Sequence, residues 1–101
     1  METVIYGMLQ EEKQRNLAMQ EAHKREINSL KKGSIKTKHI SGRVYFYLQY
    51  RQDGKVKDDY IGKDESIVDE IRREIERRKY LESVLRRLKL EHRQICLIVK
   101  D

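Results

Sequence analysis

The chain has no proline, one cysteine and no run of about 18 apolar residues, the length a helix needs to cross a bilayer. Each scarcity closes off a class of protein. Without the long run there is no membrane span. The first residues also lack the basic stretch and continuous apolar segment of a secretory signal, so a cytoplasmic protein with no membrane partner is expected. A lone Cys96 has no internal disulfide partner, and its setting in Ile95-Cys96-Leu97-Ile98-Val99 predicts a packed rather than a reactive thiol. The absence of proline removes the strongest helix breaker, so long uninterrupted helices are allowed. His23, His39 and His92 fall on different segments with no second His or Cys at ligand spacing, which argues against a zinc site. No nucleophile motif, glycine-rich phosphate loop or carboxylate pair stands out, and Asp58-Asp59 reads as the surface of an edge strand. The chain is therefore expected to be no enzyme and to use no metal or cofactor.

What is present fits one domain over residues 1–101. Apolar residues make up 38% and charged residues 40%, so the core must be thin and many side chains must lie on solvated faces, as long helices allow. The charges are mixed in sign and are punctuated periodically by Tyr, Ile, Leu and Val, which is the pattern of a folded chain.

The net charge of +6 is unevenly placed. Residues 1–32 hold six Lys/Arg against five Asp/Glu, residues 33–63 seven against three, and residues 64–101 ten against nine. The flanks are nearly neutral, as expected of salt-bridged helix surfaces, and any footprint for a polyanion should centre on the middle.

From Thr3 to about Leu30 good helix formers dominate, which predicts one helix of roughly 40 Å over residues 1–32. Leu17, Ala18, Met19 and Ala22 supply a weak apolar stripe, and Lys31-Lys32-Gly33 reads as its stop. The period then changes to two. Ser34 to Ile40, Arg43 to Arg51 and Lys55 to Ile61 are strand candidates joined at Ser41-Gly42 and Asp53-Gly54, giving a three-stranded antiparallel meander over residues 33–63. A two-residue loop at Asp53-Gly54 would put Val56 and Tyr60 on the face of Arg43 and Arg51. A three-residue bulged turn, Gln52-Asp53-Gly54, pairs Arg51 with Lys55 and separates the faces, and burial favours it. One face then carries Ile35, Val44, Phe46, Leu48, Tyr50, Val56 and Tyr60. The other carries Lys36, Lys38, Arg43, Tyr45, Tyr47, Gln49, Arg51, Lys55, Lys57 and Asp59.

Asp64-Glu65-Ser66 is suited to start a helix over residues 64–101. Its apolar seam runs through Ile67, Ile71, Leu81, Leu85, Leu88, Ile95 and Val99, with Glu74, Arg78 and His92 interrupting it and Ile75 and Val84 flanking it. The expected fold is α+β, in the order α-β-β-β-α, with the helices pairing as a coiled-coil-like hairpin or as a dimer. In a homodimer Ile71, Leu81, Leu85, Leu88, Ile95 and Val99 would form the oligomer interface.

The open sheet face joins cations to Tyr45 and Tyr47. Lys and Arg neutralise phosphates while aromatic rings stack on bases, so this face is the candidate nucleic-acid site, with DNA favoured over RNA because a small β-ribbon fits the major groove. The arginines of Arg72-Arg73 and Arg77-Arg78-Lys79 alternate with glutamates and read as a solvated helix face.

The stretch Gly33-Ser34-Ile35, Gly42-Arg43-Val44-Tyr45-Phe46-Tyr47-Leu48, Gly54-Lys55-Val56-Lys57 and Tyr60-Ile61-Gly62-Lys63 resembles a group of small bacterial proteins found on mobile elements. More loosely, about residues 32–80 resemble the three-strand-plus-helix DNA-binding arm domain of tyrosine integrases. That resemblance implies a sheet face entering the major groove, here through Arg43, Tyr45, Tyr47, Arg51, Lys55 and Lys57. The chain lacks a recombinase domain, so integrase activity is not implied. The mobile-element likeness also raises a phage- or plasmid-borne anti-CRISPR inhibitor docking on a Cas nuclease. A third expectation is a helical scaffold that binds no nucleic acid.

Overall fold

The structure is a computed structural model that describes residues 3–100. Its elements follow the expected order: α1 (Val4–Ser29), β1 (Ser34–Ile40), β2 (Arg43–Gln52), β3 (Lys55–Gly62) and α2 (Glu65–Ile98). The fold is α+β, with the strands in the order β1-β2-β3, all antiparallel. Packing divides the chain into two units, one of residues 30–79 and one formed by α1 with the later part of α2. No helix among the described residues is long and apolar enough to cross a membrane.

In the unit of residues 30–79, Leu48 on β2 is buried against Ile71 and Ile75 of α2, with Ile35, Tyr50 and Ile61 packed around them. Val68 is buried as well. Each such Leu or Ile contributes on the order of 1.5–3 kcal/mol. Asp64 opens α2: its Oδ1 accepts from the Ser66 N–H at 2.9 Å and from the Ser66 hydroxyl at 2.7 Å. The hydroxyl and then the amide of Ser66 hold the Asp64 carboxyl below its ordinary pKa.

Two of the three polar residues that interrupt the apolar seam of α2, Arg78 and Glu74, have partners in this unit. The Arg78 guanidinium donates to the Leu30 carbonyl at 2.8 Å, and the Lys31 N–H donates to Glu74 Oε1 at 3.3 Å. They tie down the chain where it enters the sheet. Gly33 then has φ 116°, and a Cβ there would run into the Gln49 carbonyl oxygen, so glycine is required. The expected seam begins wrongly at Ile67, which is 43% exposed. Val68, Ile71 and Ile75, spaced three and four apart, are the positions that turn to the core.

The second hairpin corrects the expected register. Asp53 and Gly54 both have positive φ, 52° and 75°, and they form a two-residue loop in which Gln52 pairs with Lys55. Arg51 stands opposite Val56 instead of Lys55. Turns with two positive φ values twist in the same sense as the strands they join, which is what Asp-Gly supplies. Val56 and Tyr60 do not need the covered face that the bulged turn would give them, since Val56 stays exposed and Tyr60 finds its contacts on the open face. A bulge does occur further along. Phe46 pairs with Gly62 and Tyr47 with Tyr60, which leaves Ile61 as the extra residue.

In the unit of α1 and the later part of α2, Leu81 is 1% exposed, and Ile27, Leu88 and Val99 are also buried. Two amides share this interior: Asn16 is 2% exposed and Gln20 6%. The Asn16 Nδ2 donates to the Leu88 carbonyl at 2.9 Å, and the Gln20 Nε2 donates to Asn16 Oδ1 at 2.7 Å. The stripe expected on α1 is displaced, since Leu17, Ala18, Met19 and Ala22 are exposed.

Of the six side chains expected to meet a second copy, Ile71 is buried in the sheet unit, while Leu81, Leu88 and Val99 are buried in the α1 unit. Leu85 and Ile95 are half-buried in the latter. Within the single chain these six positions are thus buried or half-buried, each among the residues of its own unit. Ion pairs such as Arg15 with Glu12 at 2.6 Å and Arg72 with Asp69 at 3.2 Å lie on exposed helix faces.

Candidate functional site

Strand alternation along β2 places Arg43, Tyr45, Tyr47, Gln49 and Arg51 on the face opposite Leu48. Register then assigns their neighbours. Lys36 stands beside Tyr47 and Lys38 beside Tyr45 on β1, while β3 sets Tyr60 beside Tyr47 and Asp58 beside Gln49. Lys36, Lys38, Arg43, Tyr45, Tyr47, Gln49 and Arg51 therefore share one face, as expected. Lys55 and Lys57 do not join them. They pair with Gln52 and Tyr50, on the side that carries Leu48, and Asp59 goes with them.

What replaces those lysines is a third ring. Tyr60 packs against Tyr47 with ring centroids 5.3 Å apart and planes tilted by 56°, and against Tyr45 at 6.3 Å and 44°. Tilted pairs at such distances contribute about 0.5–1.5 kcal/mol each beyond the area they cover. Tyr45 and Tyr47 are half-buried by their neighbours, while Tyr60 remains 60% exposed.

Two ammonium groups sit on this cluster: Lys38 Nζ lies 4.3 Å from the Tyr47 ring centroid, and Lys63 Nζ lies 5.1 Å from that of Tyr45. The bulge explains Lys63. Without the extra residue Ile61, alternation would send Lys63 to the side of Phe46; with Gly62 opposite Phe46, the next residue comes out beside Tyr45. The face thus joins five cations, Lys36, Lys38, Arg43, Arg51 and Lys63, to three rings and one carboxylate, Asp58, which accepts from Gln49 Nε2 at 3.1 Å.

Tyr60 and Lys63 are the site residues that sequence reasoning missed. The signal for Tyr60 lay in the Asp53-Gly54 pair, whose preference for a two-residue loop fixes it on the tyrosine face, whereas Lys63 reaches that face only through the bulge at Ile61. On the other side of the sheet, the Tyr50 hydroxyl is raised in pKa first by its hydrogen bond with Asp59 and then by desolvation. Among the described residues no three His, Cys, Asp or Glu side chains come together as a metal site. Cys96 is half-buried, its Sγ 3.6 Å from His92 Nε2 within α2. The open face of the sheet offers exposed positive charge and flat rings.

A comparison with known protein families matches residues 8–73 to the family described as a domain of unknown function, DUF6788. The match takes in most of α1, the whole sheet and the first turns of α2. No curated protein and no solved structure matches the chain.

Proposed function

The chain belongs to the DUF6788 family, a domain of unknown function, and from the chemistry of its open sheet face we propose that it binds nucleic acid there. The observation that supports this is the cluster of Tyr45, Tyr47 and Tyr60 with Lys38 and Lys63 seated on the rings. Phosphates take the place of the rings as partners of the ammonium groups, and the rings are then left for bases or sugars. A face charged only for solubility has no use for three adjacent phenols. The middle segment, which carries most of the net charge, is also where this cluster stands.

The test is the salt dependence of binding to labelled oligonucleotides of DNA and RNA. Each phosphate neutralised steepens the fall of log affinity with log salt by about 0.9 on duplex DNA and about 0.7 on single strands. Engagement of all five cations predicts a slope of roughly −3.5 to −4.5. Lys63→Gln should flatten that slope by nearly one, whereas Lys57→Gln, on the opposite face, should leave it unchanged. Equal losses from the two variants, or no binding at low salt, would reject the site.

A further inference from the structure

Resting on the reading of the sheet face as a nucleic-acid site, we infer that its ligand is single-stranded, with an unpaired base stacked on Tyr60. A duplex keeps its base faces stacked inside and presents only edges and phosphates, so a protein that reads it needs long hydrogen-bonding side chains. The centre of this face holds phenol rings instead, with Tyr47 flanked by Tyr60 and Tyr45 close by. Arg43 and Arg51 lie at the two ends of β2, and the one amide on the face, Gln49, is bonded to Asp58.

Unpaired nucleotides match the surface better, since every base has a π-face to offer and the strand bends to follow the cations. The three rings are not equivalent. Lys38 covers Tyr47 and Lys63 covers Tyr45, while Tyr60 carries neither and is the most exposed of the three. Tyr60 is the open platform; Tyr45 and Tyr47 hold it from beside. The lysines on those two rings are placed to exchange a ring for a phosphate as the strand arrives, which uncovers two further faces for the neighbouring bases.

The experiment compares oligothymidylate and oligouridylate strands of about twelve nucleotides, a thymine–adenine duplex of the same length, and heparin, a polyanion without bases. Both single strands, or one of them, should bind at least tenfold more tightly than duplex and heparin. Tyr60→Leu should lose about tenfold in single-strand affinity and Tyr60→Phe should keep it, with the far-ultraviolet spectrum unchanged in both. Should Tyr60→Leu fail to fold, the parent protein still decides the matter, because a stacked base shifts the Tyr60 ring protons upfield. Duplex or heparin binding as tight as the single strands would overturn the inference while leaving a polyanion site. Binding to none of the four would overturn the site itself.

Discussion

Replacing Asn16 by leucine tests how the α1 unit is held together. The side chain is 2% exposed and makes two bonds, donating to the Leu88 carbonyl and accepting from Gln20. Leucine removes both. The Leu88 carbonyl sits inside α2 and keeps its helical donor, so little is lost there. Gln20 is different: its amide is 6% exposed, and Asn16 Oδ1 is its bonded acceptor. A buried amide stripped of its partner costs about 1–3 kcal/mol, and burying the leucine offsets part of that. A net loss of roughly 1–2 kcal/mol follows, or about 5–15 °C in Tm for a chain of this size. Adding Gln20→Leu removes the stranded amide, and the double variant should return to the parent value or exceed it, because replacing both members of a buried polar pair is often neutral or stabilising. Urea unfolding followed by helical circular dichroism of the parent, both single variants and the double variant measures the coupling. If the double variant loses the sum of the two single losses, or if Asn16→Leu alone is as stable as the parent, the amide pair does not work in this way.

Two further outcomes follow from the sheet unit. Gly33→Ala should destabilise the chain by at least about 2 kcal/mol in the same denaturation assay, because it adds backbone strain at φ 116° to a collision with the Gln49 carbonyl. Asp64 has its folded pKa lowered, so the stability it supplies is present above the ordinary carboxyl value of 3.8 and is lost as pH falls through the lower folded value. Asp64→Asn should therefore flatten the acid limb of a stability-versus-pH curve below 3.8 and lower the plateau above it; an unchanged acid limb would contradict the cap.

The elements were legible because their signals are local. Good helix formers without interruption from Thr3 to Leu30, the change to period two at Ser34, and two Gly-bearing turns mark α1 and three strands within a residue or two. The face of α1 was not, because polar as well as apolar side chains mark it. Leu9, Lys13, Asn16, Gln20, His23 and Ile27 are spaced alternately four and three apart, and every one is buried or half-buried. That seam becomes visible once polar residues are admitted to it, and two of them enter because they bond to each other and to α2. The matching seam on α2, Leu81, Leu85, Leu88, His92, Ile95 and Val99, was readable from its leucines and is likewise buried or half-buried throughout. Its continuation back to Ile67 failed, because Arg78 and Glu74 bond to the chain at Leu30 and Lys31 and the core of the sheet takes Val68, Ile71 and Ile75 instead.

The hairpin at Asp53-Gly54 decides more than register. Shifting β3 by one residue against β2 moves every side chain of β3 to the other face. Lys55 and Lys57 leave the tyrosine face, Tyr60 enters it, and the bulge at Ile61 returns one lysine, Lys63. The exchange removes two cations and adds one cation and a ring, so the surface carries less charge and more aromatic area than the expected register implied. On the proposed reading that balance has a measurable consequence. A site relying on lysines alone loses most of its affinity between low and physiological salt, whereas stacking contributes about 1–3 kcal/mol per base that salt does not screen. Binding should therefore fall with salt toward a floor that Tyr60→Leu lowers and Lys63→Gln does not. The turn that set aside the burial argument is thus the one that makes this face chemically distinct.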